Sequence, residues 1–317
     1  MPSSRIDVAS TVSVGATSMR PRGKRRSRGA PGRPRLIAFV YIAPAILFFA
    51  TFVVLPVAGT VNASFFQWNG NTQATWVGLN NYAEVLTDER LIGAFGNSVV
   101  FVFFFSLLPV SLGLLVAAVM GRHPLPGLTI FRVILFVPQV VALIVSALAW
   151  RWMYATEGAI NQILTAIGLG DITRAWLGDF TWALPAVGLI GTWIMVGLTM
   201  ILFLSGIQKI DPSLYEAARI DGAGPIKEFF AVTLPGLRSE VAVALSITMI
   251  AALKTFDVVF ATTGGGPGSE TLVPSIAVFR LAFRESQVGA ASAVAVVIAI
   301  IVGLMVFLIN RFVRKPE

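Results

Sequence analysis

The chain has 317 residues, 56% of them hydrophobic and only 13% charged, where an ordinary soluble domain carries about 25% charged residues; so much apolar surface needs lipid as its solvent. It has no cysteine and one histidine, His123, which excludes a disulfide framework or thiolate metal site and removes the commonest metal ligand and general base. The formal charge of +8 is concentrated near the N-terminus, so it points to a membrane flank and not to nucleic acid.

Residues 1–35 are rich in Ser, Gly, Pro and Arg, and include Arg20, Arg22, Lys24, Arg25, Arg26, Arg28, Arg33 and Arg35. That composition cannot bury a core and predicts a disordered basic leader holding the start of the first span in the cytoplasm. The apolar stretch that follows is too long for a signal-peptide core and lacks a clear small-x-small cleavage site, so the first span is expected to be retained.

A bilayer core of about 30 Å takes roughly 20 apolar residues in a helix. Six runs meet that need: Leu36 to Ala58, Asn97 to Met120, Val133 to Trp150, Thr181 to Leu204, Val241 to Thr263 and Ser286 to Asn310. The expected fold is all-α: one polytopic membrane domain over residues 36–317, with about six transmembrane helices. With the N-terminus inside, the cytoplasmic pieces are the leader, the turn at 121–132, the loop at 205–240 and the tail. They hold 18 of the 24 Lys and Arg, while the other segments carry Glu84, Asp88, Glu89, Glu157, Asp171, Asp179, Glu270 and Glu285. This is the positive-inside pattern and places both termini in the cytoplasm. Pro44, Pro56, Pro109 and Pro138 lie inside runs and predict kinks, not ends. Trp68, Trp76, Trp150, Trp152, Trp176 and Trp182 gather near run ends, where interfacial anchoring accounts for them. His123 falls in a short polar turn and is assigned no role.

The 205–240 loop predicts a helix, a turn and a helix. Asp211 before Pro212 is a helix start, since Asp can cap exposed amides and Pro at the first position loses no needed donor. Gly222 and Gly224-Pro225 stop that helix. A second runs from Pro225 to about Thr233, presenting Phe229, Phe230 and Val232, until Pro235 halts it. Such a loop is either a docking element for a cytoplasmic partner or an amphipathic interfacial helix. In the fifth run, Lys254 and Asp257 are ionisable groups at membrane depth, which usually face the protein interior. Three residues apart on a helix, they either neutralise each other or belong to a translocation path. No phosphate loop occurs: the one glycine cluster, Gly264 to Gly268, is followed by Ser269 and Glu270 with no Lys. It reads as a turn and contact loop on the outer side.

Glu216-Ala217-Ala218, Gly222 and Val232-Thr233-Leu234-Pro235 resemble, in residues and spacing, the EAA signature of permease subunits in binding-protein-dependent ABC importers. Three further segments are similar to the sugar group of that family, which includes maltose, lactose and glycerol-3-phosphate permeases: Trp76 to Tyr82 with Asn97, Phe136-Val-Pro-Gln139 through Tyr154, and Thr263 to Pro267 with Phe279-Arg280. The resemblance implies that the loop forms coupling helices seated on an ATP-hydrolysing subunit. Glu216 would pair with a basic residue there, Ala217 and Ala218 would permit close approach, and Gly222 would turn the backbone where a side chain would clash. It also implies that Gln139, Trp193, Thr248 and Thr255, beside Lys254 and Asp257, fall where such proteins contact sugar, although buried Gln and Thr also simply join helices.

The function so implied is that of a non-enzymatic permease subunit of a sugar importer in a bacterial cell membrane. It binds no cofactor itself, ATP and Mg being held by two ATP-binding subunits. Its other partners are a second permease subunit, an extracytoplasmic solute-binding protein and membrane lipid. The alternative is a stand-alone ion-coupled transporter or channel, with Lys254 and Asp257 as its coupling residues, although no inverted repeat is evident.

Overall fold

The structure, a computed structural model, describes residues 35–121 and 127–313. The basic leader up to residue 34, the turn holding His123, and the last four residues lie outside the described residues. The chain divides into two units, residues 1–53 and 54–317. In the first, helix α1 (Arg35–Phe49) runs into a π-helical turn, Ala50–Val54, with large apolar side chains such as Phe39, Tyr41 and Phe48 exposed.

The second unit opens with α2 (Leu55–Ala63) and a two-stranded antiparallel pair, β1 (Phe66–Gln67) and β2 (Thr75–Trp76), followed by α3 (Asn80–Thr87). The Trp76–Tyr82 segment closes on the end of α2: Asn81 donates to the Ser64 and Phe66 carbonyls at 2.8 and 3.0 Å, and Tyr82 bonds the Ser64 hydroxyl at 2.6 Å. Next comes α4 (Glu89–Met120), 32 residues long, started by Asp88, whose carboxylate accepts from the Arg90 amide at 2.8 Å.

α5 (Leu128–Val140) and α6 (Leu143–Met153) meet at 101°, so the single span expected from Val133 to Trp150 is two helices. Beyond the short α7 (Ala159–Ala166) stands α8 (Ala183–Ile207), the central helix. Val187, Ile190, Ile194, Met200 and Phe203 on it have no exposed surface. The 205–240 region forms α9 (Pro212–Ile220) and α10 (Pro225–Gly236), and α10 bends by 71° into α11 (Arg238–Leu253). The fifth expected span is also broken: α11 ends at Leu253 and α12 (Asp257–Thr262) begins after a three-residue gap. α13 (Pro274–Phe283) and α14 (Val288–Val313) complete the described fold. Four of the described helices are long and apolar enough to span alone, or up to six if each bent pair counts as one.

The kinks expected at proline take a definite form. π-helical turns at Ala50–Val54, Phe103–Leu107 and Phe229–Thr233 each end two residues before a proline, namely Pro56, Pro109 and Pro235. At the second, the Leu108 amide reaches back to the Phe103 carbonyl. Pro109 has no N–H, so the Phe104 carbonyl loses its helical donors. Thr192 on α8 supplies one, its hydroxyl donating to that oxygen at 2.6 Å. Thr199 bonds the Pro109 carbonyl at 2.8 Å in the same way. Thr192→Val, which keeps the shape and removes the donor, is expected to cost about 1–2 kcal/mol; Thr192→Ser should keep most of the loss from appearing, as read by unfolding in detergent.

Candidate functional site

The loop between α8 and α11 is built by local backbone chemistry. The Asp211 carboxylate accepts from the Ser213 amide at 2.9 Å, with Pro212 in the first helical position. At the other end of α9 the Ala223 amide bonds the Ala218 carbonyl at 2.9 Å and the Gly222 amide bonds that of Arg219 at 3.0 Å. That reciprocal pair closes the helix and puts Gly222 at φ +76°. Apart from its two chain neighbours, no described residue has an atom within 4 Å of the position a Cβ would take at Gly222. Within this chain glycine is needed there for its left-handed backbone and not to avoid a clash.

α9 and α10 form a hairpin, tied by Tyr215 to Thr233 at 3.2 Å and by Arg219 to Glu228, also at 3.2 Å. Pro235 does not halt the second helix, which passes through it by way of the π turn and ends at Gly236. Lys209, just past α8, and Glu240 on α11 are 3.1 Å apart, so the two helices that flank the hairpin are tied together at its base. Along α9, Glu216 and Ala217 are exposed and Ala218 is half-buried. Glu216 forms no hydrogen bond or ion pair with any described residue, since its neighbour Arg219 is engaged by Glu228. Above the hairpin lies a cavity of about 490 Å³, walled by Arg132, Tyr215, Glu216 and Glu228 among others. The Arg132 Nε on that wall is buried without a partner; the sequence offered only an arginine at the head of an apolar run.

The Asp211 carboxyl is held below its ordinary value, chiefly by the Ser213 amide. A depressed value in the folded state means that the cap's contribution is complete above the unfolded value near pH 4 and disappears as pH falls through the folded one. A lower hydrogen-exchange protection factor at the Ser213 amide, taken relative to the intrinsic rate at each pH, is therefore expected below about pH 4, and Asp211→Ala should show the same loss of protection at neutral pH.

The residues expected to meet cargo separate into groups. Thr248 has no exposed surface: it donates to the Ala244 carbonyl at 2.8 Å and shares a 2.6 Å bond with Ser106, fastening α11 to α4. Gln139 sits in the last turn of α5, beside the 101° bend, with its Oε1 buried and unpartnered. Trp193 is 41% exposed and packs edge-on against Trp150 at 5.6 Å. Lys254, Thr255 and Asp257 come together at the break between α11 and α12. Thr255 is buried, and its carbonyl accepts from Ser275. Lys254 and Asp257 are both exposed and form no ion pair with each other or with any other described residue. The self-neutralising pair is corrected accordingly: the helix that would have put them on one face stops between them.

At the end of the unit away from the hairpin, three segments that stand apart in sequence converge. Arg280 donates to the Gly264 carbonyl at 2.7 Å, Thr271 to that of Gly266 at 2.7 Å, and Asn97 to that of Leu272 at 2.9 Å. The glycine cluster is thus a braced loop, with Gly264, Gly265 and Gly268 at positive φ. Trp176 and Trp182 are more than anchors: Arg174 lies over both rings at 5.3 and 5.1 Å, and Trp176 donates to Asn161 at 2.8 Å.

This arrangement has known counterparts. The chain is 37% identical over 270 residues to the probable ABC transporter permease protein YurN of Bacillus subtilis, covering 84% of this chain and 92% of that one. It is 33% identical to the diacetylchitobiose uptake system permease protein NgcF of Streptomyces coelicolor, over 97% of this chain and 93% of that one. A chain in the crystal structure of a bacterial ABC transporter involved in the import of the acidic polysaccharide alginate shares the fold, with a TM-score of 0.75 at 23% identity, covering 88% of this chain and 95% of that one. The family model for the inner membrane component of binding-protein-dependent transport systems matches residues 99–315, from within α4 through α14. The chain belongs to that family: it is an inner membrane component of a binding-protein-dependent transport system.

Proposed function

We propose that this chain passes a sugar or sugar derivative from an extracytoplasmic binding protein into the cytoplasm, as one permease of a pair driven by two separate ATP-binding subunits. ATP and Mg belong to those subunits. Both termini and the α9–α10 hairpin face the cytoplasm, in keeping with the distribution of Lys and Arg.

The observation that carries the reading is the hairpin. It is a braced unit whose flanking helices α8 and α11 are tied at its base by Lys209 and Glu240, and it presents Glu216 without a partner among the described residues. A carboxylate so placed fits a basic residue of a subunit docked beneath it, and movement of that subunit would be passed to the spans. The sugar class is supported by the likeness to the diacetylchitobiose permease along nearly the whole chain and by the segments shared with sugar permeases.

The test is to purify tagged protein from its native membrane and measure ATP hydrolysis with candidate binding proteins, empty or loaded with sugars. Co-purification of a second permease and an ATPase, with hydrolysis raised only by a sugar-loaded binding protein, is the expected result. Purification of the chain alone, with transport in the absence of ATP, would overturn the reading.

A further inference from the structure

Four phenylalanines form a continuous strip along α12 and α13. Phe256 and Phe260 stack with ring centres 5.1 Å apart, and Phe279 meets both, at 5.8 and 5.5 Å. Phe283 continues the strip 5.4 Å beyond Phe279. The strip is not core: Phe260 is 40% exposed and Phe283 76%.

Its surroundings show what it faces. On α12, Asp257 and Phe260 lie three residues apart and are exposed together, whereas Val258, Val259, Ala261 and Thr262 between and beyond them are buried. Lys254 is exposed at the foot of the strip. α11 has 16 residues and rises about 24 Å, within the roughly 30 Å of a hydrocarbon core, so Lys254 and Asp257 stand at membrane depth. An exposed Lys and Asp with no ion-pair partner among the described residues cannot face lipid there; such groups turn to a water-filled cavity or the interior of an assembly. Phe260 shares that face. At the other end Arg284 lies over the Phe279 ring at 5.9 Å, and Arg280, next to Phe279, holds the glycine loop.

We infer that the strip Phe256–Phe260–Phe279–Phe283 is the wall of the outer half of the translocation path, on which sugar rings stack as they pass from the outer loops to Lys254 and Asp257. A pyranose has an apolar C–H face and a polar edge. Aromatic faces cover the first while water or the Lys and Asp groups meet the second. Rings spaced 5.1–5.8 Å apart offer repeated, similar footholds, so a sugar can slide without one site holding it fast. The inference rests on the sugar-importer reading above.

The chain contains no cysteine, so each substitution introduces the single thiol of this subunit, and its labelling is read on this subunit's band. In proteoliposomes holding the assembled transporter, under ATP turnover with loaded binding protein, Phe260→Cys, Phe279→Cys and Phe283→Cys should react with a positively charged methanethiosulfonate at least tenfold faster than Ile300→Cys, on the exposed apolar face of α14. Phe279→Leu should then lower sugar uptake at least fivefold while stimulated ATP hydrolysis persists, and Phe279→Tyr should restore it. Labelling no faster than at Ile300→Cys, in a complex whose ATPase responds to the loaded binding protein, would show that lipid or the second permease covers the strip and would overturn the inference. So would fast labelling with Leu and Tyr variants both transporting like the wild type. A complex with no responsive ATPase would instead overturn the importer reading itself.

Discussion

Glu216→Ala is expected to abolish the rise in ATP hydrolysis that a loaded binding protein produces, while leaving the unfolding temperature of the isolated permease unchanged. Glu216 is exposed and makes no bond with any described residue, so its removal is expected to cost the isolated subunit little. Removing one member of a charge pair that becomes buried on docking costs about 2–5 kcal/mol, at least about thirtyfold in affinity. Glu216→Gln retains the shape of the side chain and removes only its charge, so it should fall nearly as far. Arg219→Ala tests the opposite arrangement. Arg219 is held by Glu228 inside the hairpin, and its loss should destabilise the hairpin before it affects docking. Equal stimulation of wild type and Glu216→Ala would remove Glu216 from the coupling contact.

How much of this was legible beforehand depended on how local the physics was. The hairpin could be read because a cap at Asp211, a first-turn proline and a left-handed position at Gly222 are decided within a few residues. The two broken spans could not. Pro138 marks a kink equally well in a continuous helix and in one that turns through 101°; what settles the matter is how α5 packs on α8. Thr248 shows the same limit. A threonine in an apolar run suits both a cargo contact and a helix fastener, and its partner Ser106 is 142 residues away in sequence. Lys254 and Asp257 were recognisable as costly charges, but their spacing implied an ion pair only if the helix continued. Asn97, the glycine loop and Arg280 were each noticeable as family-like segments, while their convergence on one brace is a property of the fold alone.

Gly197→Ala should be strongly damaging for so small a change, because the atom it adds has nowhere to go. A Cβ at Gly197 would sit 2.1 Å from the Leu135 carbonyl oxygen and 2.8 Å from both the Leu135 carbonyl carbon and the Phe136 Cα. Those are backbone atoms of α5, so no side-chain rotation relieves the contact and the two helices must separate. Overpacking of this kind costs about 1–3 kcal/mol or more, and membrane helices that meet through glycine have no hydrophobic drive to restore the contact. The displacement falls on α5, which leads from the hairpin cavity at Arg132 to Gln139 at the bend, so transport should suffer beyond what the loss of stability explains. Gly96→Ala on α4 is the internal control. Beyond its own helix backbone, no described residue has an atom within 4 Å of its Cβ position, and alanine in place of a helical glycine is expected to stabilise by about 0.5–1 kcal/mol. Unfolding of the two variants in detergent should therefore shift in opposite directions. A Gly197→Ala protein as stable as the wild type would mean that α5 and α8 do not meet through Gly197.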